Sequence, residues 1–443
     1  MSELPQGWEH TPLPIIAEII MGQSPPSSTY NTCAKGLPFF QGKAEFGALY
    51  PTIKKFCDDP GKIAEPDDIL ISVRAPVGPT NLCMVKSCIG RGLAAIRHKE
   101  AASTKFLLYF LRHIEPWLST QGTGSTFTAI SRADLDSIEV PLPPLNEQRR
   151  IVAKLEELLA KVDASQKRLA RIPVILKRFR QAVLAAACSG RLTADWREKN
   201  KDFVGAKQGS SASPAFGSDV GKGKAGGALA LPLQNLVDDD LPEIPNTWQW
   251  VKLPKTGEMN RGKSRHRPRN HPSLFGGQYP FIQTGDIAQS GGKITAHKQT
   301  LSEIGLSQSR LWPERTICIT IAANIAESAI LSYPACFPDS VVGIIAAPNV
   351  SIAEYVEYFI RVAKADLSTF APATAQKNIN IAILNELNVP HPPLPEQQEI
   401  VRRVESYFTL ADQLEARYRK AKTHIDKLTQ SILAKAFRGE LVP

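Results

Sequence analysis

Gly257, Gly262, Lys263 and Ser264 stand at the spacing G-x-x-x-x-G-K-S, in which glycines let backbone N–H groups cradle phosphates and a lysine reaches the terminal ones. Such a loop needs a buried strand leading in and a helix leading out, so that the helix N-terminus faces the phosphates. The residues leading out are Arg265-His266-Arg267-Pro268-Arg269-Asn270-His271-Pro272, and their two prolines and dense positive charge oppose a helix. Nucleotide hydrolysis at Lys263 is therefore kept as an alternative. The composition fits a polyanion contact better: between Lys252 and His271 there are seven Lys or Arg residues and one acid, with two histidines besides. Arginine can also present a bidentate fork to guanine, so Arg261, Arg265, Arg267 and Arg269 are candidates for reading bases as well as attracting phosphates. A solvated basic loop would have the same composition.

Other chemistry is thinly represented. An adenine methyltransferase holds its flipped base with Asn or Asp followed by Pro-Pro and an aromatic; the nearest string, His391-Pro392-Pro393-Leu394, has neither end right. No G-x-G-x-x-G follows a strand-like run, and Pro66-Asp67 and Pro338-Asp339 lack the Glu-x-Lys that a metal-dependent nuclease would add. The seven cysteines form no C-x-x-C pair, and the eight histidines stand apart without a paired acid, so no metal site is expected. Cysteine usage fits a reduced, cytoplasmic compartment. Met1 to Trp8 has no basic segment leading into an apolar one, and no window reaches the run of about 18 apolar residues of a membrane span. A net charge of +10 is compatible with a nucleic-acid partner and does not require one. Catalysis is expected to lie outside this chain.

What would position the candidate residues is a duplication. Shifting the chain by 249 residues lays Pro141–Leu192 on Pro390–Leu441 without a gap, with 17 identities in 52 positions, where chance gives about three. The copies open as PLPPLNEQRRIV and PHPPLPEQQEIV and close as QAVLAAACSGRL and QSILAKAFRGEL. Proline clusters impose an extended lead-in, and Glu147 and Glu396 then fall in a first helical turn, where a carboxylate complements the exposed N–H groups. Each helix carries an apolar stripe at alternating steps of four and three, through Ile151, Leu155, Leu158 and Val162 in the first and Ile400, Val404, Tyr407 and Leu414 in the second. Four heptads at this period favour coiled-coil packing, with each helix as the other's partner, in a rod of roughly 60 Å. Pro173 occurs only in the first copy and predicts a kink there.

The duplication extends upstream. Leu4 to Trp8 matches Leu241 to Trp248 with an insertion, Pro38-Phe39-Phe40-Gln41 matches Pro280-Phe281-Ile282-Gln283, and the strand-like Asp68–Val73 matches Thr316–Ile321. With helical stretches at Thr104–Ile114 and Ile352–Ala363, the blocks are expected to be divergent copies of one α/β or α+β domain. The loop Gly22-Gln23-Ser24-Pro25-Pro26 corresponds to the basic loop of the second copy. On position, Gln23, Ser24, Tyr30 and Asn31, with Arg74 and Arg91 after strand-like runs, are the first block's candidate contacts, each equally explicable as structural. Lys377 and Asn378, matched by Ser125 and Thr126, precede the helix lead-ins and are placed to position phosphates. Lys201 to Gly227, rich in Gly, Ser, Ala and Lys, reads as a flexible linker.

A variable block, a PLPPLxEQ lead-in, a long helix ending near Gly-x-Leu, and the same again, resembles the specificity subunits of type I restriction-modification enzymes. The specific strings are Pro141–Gln148, Pro390–Gln397, IPVILKRFRQAVL from Ile172 and LTQSILAKAFRGEL from Leu428. The resemblance implies an α+β chain: two similar α/β target-recognition domains separated by two long antiparallel coiled-coil helices. The boundaries expected are 1–142 and 246–391 for the recognition domains, 143–192 and 392–443 for the helices, and 193–245 for the linker. It further implies double-stranded DNA as ligand, read as a bipartite target, two methyltransferase subunits and restriction or motor subunits as partners, and no membrane. S-adenosylmethionine, ATP and Mg would belong to those partners, and this chain would need no cofactor. A structural coiled-coil scaffold for protein–protein interaction is the remaining alternative.

Overall fold

The computed structural model describes residues 4–121, 129–201, 241–264, 271–322, 325–369, 379 and 381–442. It divides into two compact units, Met1–Arg171 with Arg417–Pro443, and Ile172–Ala416. Each unit holds one globular block, one stretch of the first long helix and one stretch of the second. The first long helix is two segments, Leu145–Leu169 and Ile172–Cys188, and the second is continuous from Leu394 to Phe437.

In the first unit an antiparallel sheet runs in the order Ala17–Met21, Leu93–His98, Ile69–Ser72, Thr80–Leu82. Ile69 to Ser72 is buried at all four positions, as befits a central strand covered on both faces. One face is covered by the helix Thr104–Gln121, whose Phe106, Phe110 and Leu111 join Ile69, Ile71, Ala94 and Ile96 in the core. The long helices also enter that core, through Ile151 and Leu155 from Leu145–Leu169, and Ile432 and Phe437 from the end of Leu394–Phe437. Phe437 meets Phe106 and Phe110 edge-on at 5.3 and 5.4 Å.

The second unit repeats the plan. Its sheet order is Gly257–Arg261, Val341–Ala346, Ile317–Thr320, Ser328–Leu331, with Lys293–Ile294 added at the edge, and the helix Ala353–Thr369 covers it. In both blocks a two-stranded ribbon precedes the long helix: Glu9–Pro12 pairs with Glu139–Leu142, and Gln249–Lys252 with Asn388–His391. Part of the expected linker is folded. Arg191–Thr193 and Ala194–Lys199 are short helices, Thr193 is fully buried, and residues 202–240 of the linker lie outside the described residues.

The first long helix is broken rather than kinked. Pro173 cannot donate to the carbonyl of Leu169, so the first segment ends at Leu169 and Pro173 takes a place in the first turn of the next, where a missing N–H costs nothing. Neither lead-in has a side-chain cap on its helix: the caps are Pro144, where Asn146 lies inside the first turn, and its counterpart Pro393, as Leu394 opens the second. Along the seam Ile151, Leu155, Val162, Ile400 and Val404 are buried and Leu158 is half-buried, whereas Tyr407 is 41% and Leu414 43% exposed. The inward row there runs through Val404, Phe408, Ala411 and Glu415. A straight α-helix drifts about 20° per heptad from a strict seven-residue stripe. At this level the neighbour is Arg180, whose guanidinium binds Asp412 at 2.7 Å and Glu415 at 3.0 Å.

Candidate nucleic-acid interface

In the first block four chain segments converge by backbone hydrogen bonds. Gly22 N–H donates to the carbonyl of Leu93, Gln23 N–H to Ile89, Gly90 N–H to Phe40 and Val73 N–H to Gly92, all between 2.8 and 3.1 Å. The approach is closer than any side chain permits: a Cβ on Gly22 would lie 2.2 Å from the Gly90 carbonyl oxygen, and one on Gly92 2.4 Å from that of Gln41. Gln23, Ser24, Arg74 and Arg91 are thereby brought to one place. Gln23, Arg74 and Arg91 are exposed, and Ser24 Oγ accepts the Arg91 N–H at 3.2 Å, tying the two loops together. Tyr30 and Asn31 stand behind them with local partners. The Tyr30 hydroxyl donates to Pro25 at 2.7 Å, its ring stacks on Phe39 at 4.6 Å, and burial pushes its ionisation upward. Asn31 closes a turn with Lys35.

The second block repeats part of this framework, although Pro338 at the place of Gly90 has no N–H to give. Gly262 N–H donates to Val341 and Ile321 N–H to Ser340, matching Gly22 to Leu93 and Val73 to Gly92. Ile130 N–H to Val73 is likewise matched by Ile379 N–H to Ile321. Lys263 therefore occupies the position of Gln23, Ser264 that of Ser24, Asp339 that of Arg91, and Ala322 that of Arg74. The phosphate-loop reading fails on the same geometry. Gly257–Arg261 is an extended strand laddered to Val341–Ala346 rather than a loop curled around an anion, and a Cβ on Gly257 or Gly262 would fall 2.2 or 2.3 Å from the carbonyl oxygens of Ile345 or Pro338. The glycines serve backbone packing. Lys263 is exposed, and the exposed Arg261 donates to the Asp339 carbonyl. Lys252 is engaged by the Glu386 carboxylate at 3.2 Å. Arg265, Arg267, Arg269, Lys377 and Asn378, with Ser125 and Thr126 of the first copy, lie outside the described residues.

Two further glutamines border these loops, Gln41 and Gln283, each the last residue of the repeated Pro-Phe-x-Gln. Beside Gln283 an open cavity of about 410 Å³ is lined by Ser264, Phe275, Phe281, Gln299 and Ser340 among others. The repeat contains their positions, but unlike Gln23 they match no charged loop in the other copy, and they are not among the expected contacts.

The lead-in sequences fasten each block to its long helix. Trp8 donates its indole N–H to Glu147 at 3.0 Å, and Trp248 donates to Glu396 at 2.9 Å. Gln148 and Gln397, both fully buried, each make three bonds of one pattern. Gln148 accepts from Ser103 N–H and donates to Ala101 and Pro143; Gln397 accepts from Ile352 N–H and donates to Val350 and Pro392. The long helices end alike. Gly190 and Gly439 take φ of 76° and 73°, closing against Pro245 and Pro5 respectively.

Burial pushes the thiols of Cys83, Cys88 and Cys336 up to about 11, away from nucleophilic use. Burial likewise depresses His113 and His391, keeping them neutral. No group of three metal-ligating side chains is found among the described residues. None of the described helices is long and apolar enough to cross a membrane.

A family model described as the type I restriction modification DNA specificity domain matches residues 5–174 and 245–422. The EcoDI type I restriction enzyme specificity subunit of Escherichia coli is 33% identical over 347 residues, covering 76% of this chain and 70% of that one. A protein of Methanocaldococcus jannaschii named as the MjaX type I specificity subunit is 43% identical over 187 residues, 42% of this chain and 44% of that one. A chain solved in work on complex assembly and conformational transition of the type I R-M system superposes with a TM-score of 0.71 at 19% identity, covering 99% of this chain and all of that one, a likeness of fold. Two copies of one interface framework, each locked to a long helix by the same Trp–Glu and Gln contacts, are what that family model spans twice, and the chain belongs to the type I restriction-modification DNA specificity family, the non-catalytic DNA-recognition subunits that assemble with other subunits of such systems and with DNA.

Proposed function

We propose that this subunit reads a bipartite, non-palindromic duplex target, one half with each block, and that the long helices set the spacer between the halves. Gln23, Ser24, Arg74 and Arg91 would meet DNA in the first block, and Arg261, Lys263, Arg265, Arg267 and Arg269 in the second, with Lys377 and Asn378 on phosphates; Tyr30 and Asn31 would shape the first loop from behind. Two adenine-N6 methyltransferase subunits would dock on the chain, motor and nuclease subunits would join for restriction, and S-adenosylmethionine, ATP and Mg would be held there. The place of action would be the cytoplasm. One observation carries the reading: a single backbone framework occurs twice and offers unlike side chains at matched positions, Gln23 against Lys263 and Arg91 against Asp339. Equal frameworks give two reading heads, and unlike side chains give unequal half-sites.

Removing one heptad from each long helix tests it. Seven residues are about 10 Å of helix, or about three base pairs of duplex. The preferred spacer should shorten by that amount, or binding should be lost. A variant that folds and selects the wild-type spacer would contradict the ruler.

A further inference from the structure

We propose that Gln283, braced by Gln299, reads an adenine in the half-site of the second block, and that the neighbouring phenylalanines receive the methyl group of the paired thymine. The inference rests on the DNA-reading function above and assigns it a base.

Gln283 is exposed at the end of the strand Phe275–Phe281, beyond Ile282, whose N–H is fixed to the Cys336 carbonyl at 2.8 Å. Its backbone is thus tied to the run that leads from Cys336 to Ser340. Its side chain is held as well: Nε2 donates to Gln299 Oε1 at 2.6 Å. That bond uses one of two amide protons and leaves the Gln283 carbonyl oxygen, so one donor and one acceptor remain side by side. This is the pair that matches adenine N7 and N6 in the major groove. Guanine offers two acceptors at the same edge and would leave the amide oxygen facing one of them.

The apolar part of the base pair is matched too. Phe275 and Phe281 lie 6.1 Å apart, centroid to centroid, in the wall of the 410 Å³ cavity that also contains Gln283, Gln299 and Ser264. An A·T pair differs from G·C in the major groove by its thymine methyl as well as by its donors and acceptors. A cavity joining a braced amide to aromatic carbon therefore recognises both halves of one base pair. Gln41 holds the matched position in the first block, on the Gly90–Gly92 turn, without a counterpart of Gln299 to brace it among the described residues.

The test is enrichment of a random duplex library by the full chain, comparing wild type with Gln283→Met and Gln299→Ala. Methionine keeps the shape and removes the amide. Gln283→Met should enrich the wild-type motif with a single position of one half-site degenerate, a loss of about 5- to 150-fold in preference for adenine there. Gln299→Ala should loosen the same position less. Replacing that adenine by 7-deazaadenine, which lacks N7, should weaken wild-type binding and leave Gln283→Met unaffected. A Gln283→Met motif identical to wild type, or a uniform loss across all positions, overturns the assignment. A wild-type chain that enriches no motif overturns the DNA-reading function itself.

Discussion

The two blocks share a backbone and differ in what they bury at matched places. In the first, Glu147 is half-buried and accepts the Trp8 indole. In the second, Glu396 is fully buried and takes three donors: Trp248, Thr193 at 2.6 Å and the Arg197 guanidinium. The same contrast recurs in the covering helices. Leu108 of Thr104–Gln121 is fully buried, and its counterpart in Ala353–Thr369 is Glu357, also buried, with Ser328 at 3.1 Å and Arg361 at 3.8 Å. The framework of main-chain bonds therefore specifies the fold, and the charges placed within it tune each block separately.

The largest difference should appear at the carboxylates beneath the tryptophans. Glu396→Ala removes the acceptor shared by a half-buried guanidinium, a buried hydroxyl and a buried indole, and should cost about 3–5 kcal/mol in urea denaturation. Glu147→Ala removes one half-buried bond and should cost about 1 kcal/mol. Equal losses would break the comparison.

Glu357 gives the next effect, and it carries a pH signature. Burial outweighs Arg361 and Ser328 and pushes its carboxyl up to about 7 from an ordinary 4.5. Between those values the folded chain holds a proton that the unfolded chain has released. The stability that Glu357 contributes therefore falls as pH rises from 4.5 to 7 and levels off above, against an opposite contribution below 6.5 from the depressed His113 and His391. Glu354 and Arg361 on its own helix, and Lys293, Glu405 and Asp412 across the adjoining cavity, are the charges that face it. Glu357→Leu, which copies Leu108, should flatten this slope and recover about 1–3 kcal/mol at pH 8 relative to pH 5. A variant with the wild-type pH profile would show that other groups produce it.

The repeat in the long helices was plain from the sequence because a helix of this length states its period and its apolar side many times over. The shared sheet order was less so. The bonds from Val73 to Gly92 and from Ile321 to Ser340 are made by main chain, which any side chain can hang from, so the two frameworks left few identities. Gly257 and Gly262 offered a false alternative for a related reason. Glycine at both positions is required by carbonyls 2.2 and 2.3 Å from where a Cβ would stand, and phosphate binding asks for the same residue. Lys263 and Gln23 stand out by composition and by correspondence, whereas Gln283 becomes visible only once Gln299, 16 residues on, lies against it.

A smaller effect separates the blocks in their response to salt. Lys263 stands where the first block has Gln23, so Lys263→Gln should lower the slope of log affinity against log salt by about 0.9, and Gln23→Lys should raise it by a similar amount. Either affinity should change by about tenfold or less at fixed salt. Titration at two or more salt concentrations decides the matter. An unchanged slope in both variants would place these side chains away from phosphate.

The smallest effect is expected inside the long helices. The first unit packs Leu155, Leu158 and Val162 with Ile425, Leu428 and Ile432, an apolar seam throughout. The second interrupts its seam with Arg180, bonded to Asp412 and Glu415 where strict heptads would have put Leu414. Arg180 is 24% and Glu415 33% exposed, while Asp412 is 72% exposed and largely screened. Arg180→Ala should accordingly cost only about 0.5–1 kcal/mol. The consequence for register is greater than for stability, because an apolar seam tolerates a slip of one heptad and a guanidinium between two carboxylates does not. Cysteines replacing Phe179 and Tyr407, whose rings lie 6.1 Å apart, would report this directly. Their crosslinking should be uniform in the parent and heterogeneous after Arg180→Ala, and uniform crosslinking in both would reduce the polar layer to a surface contact.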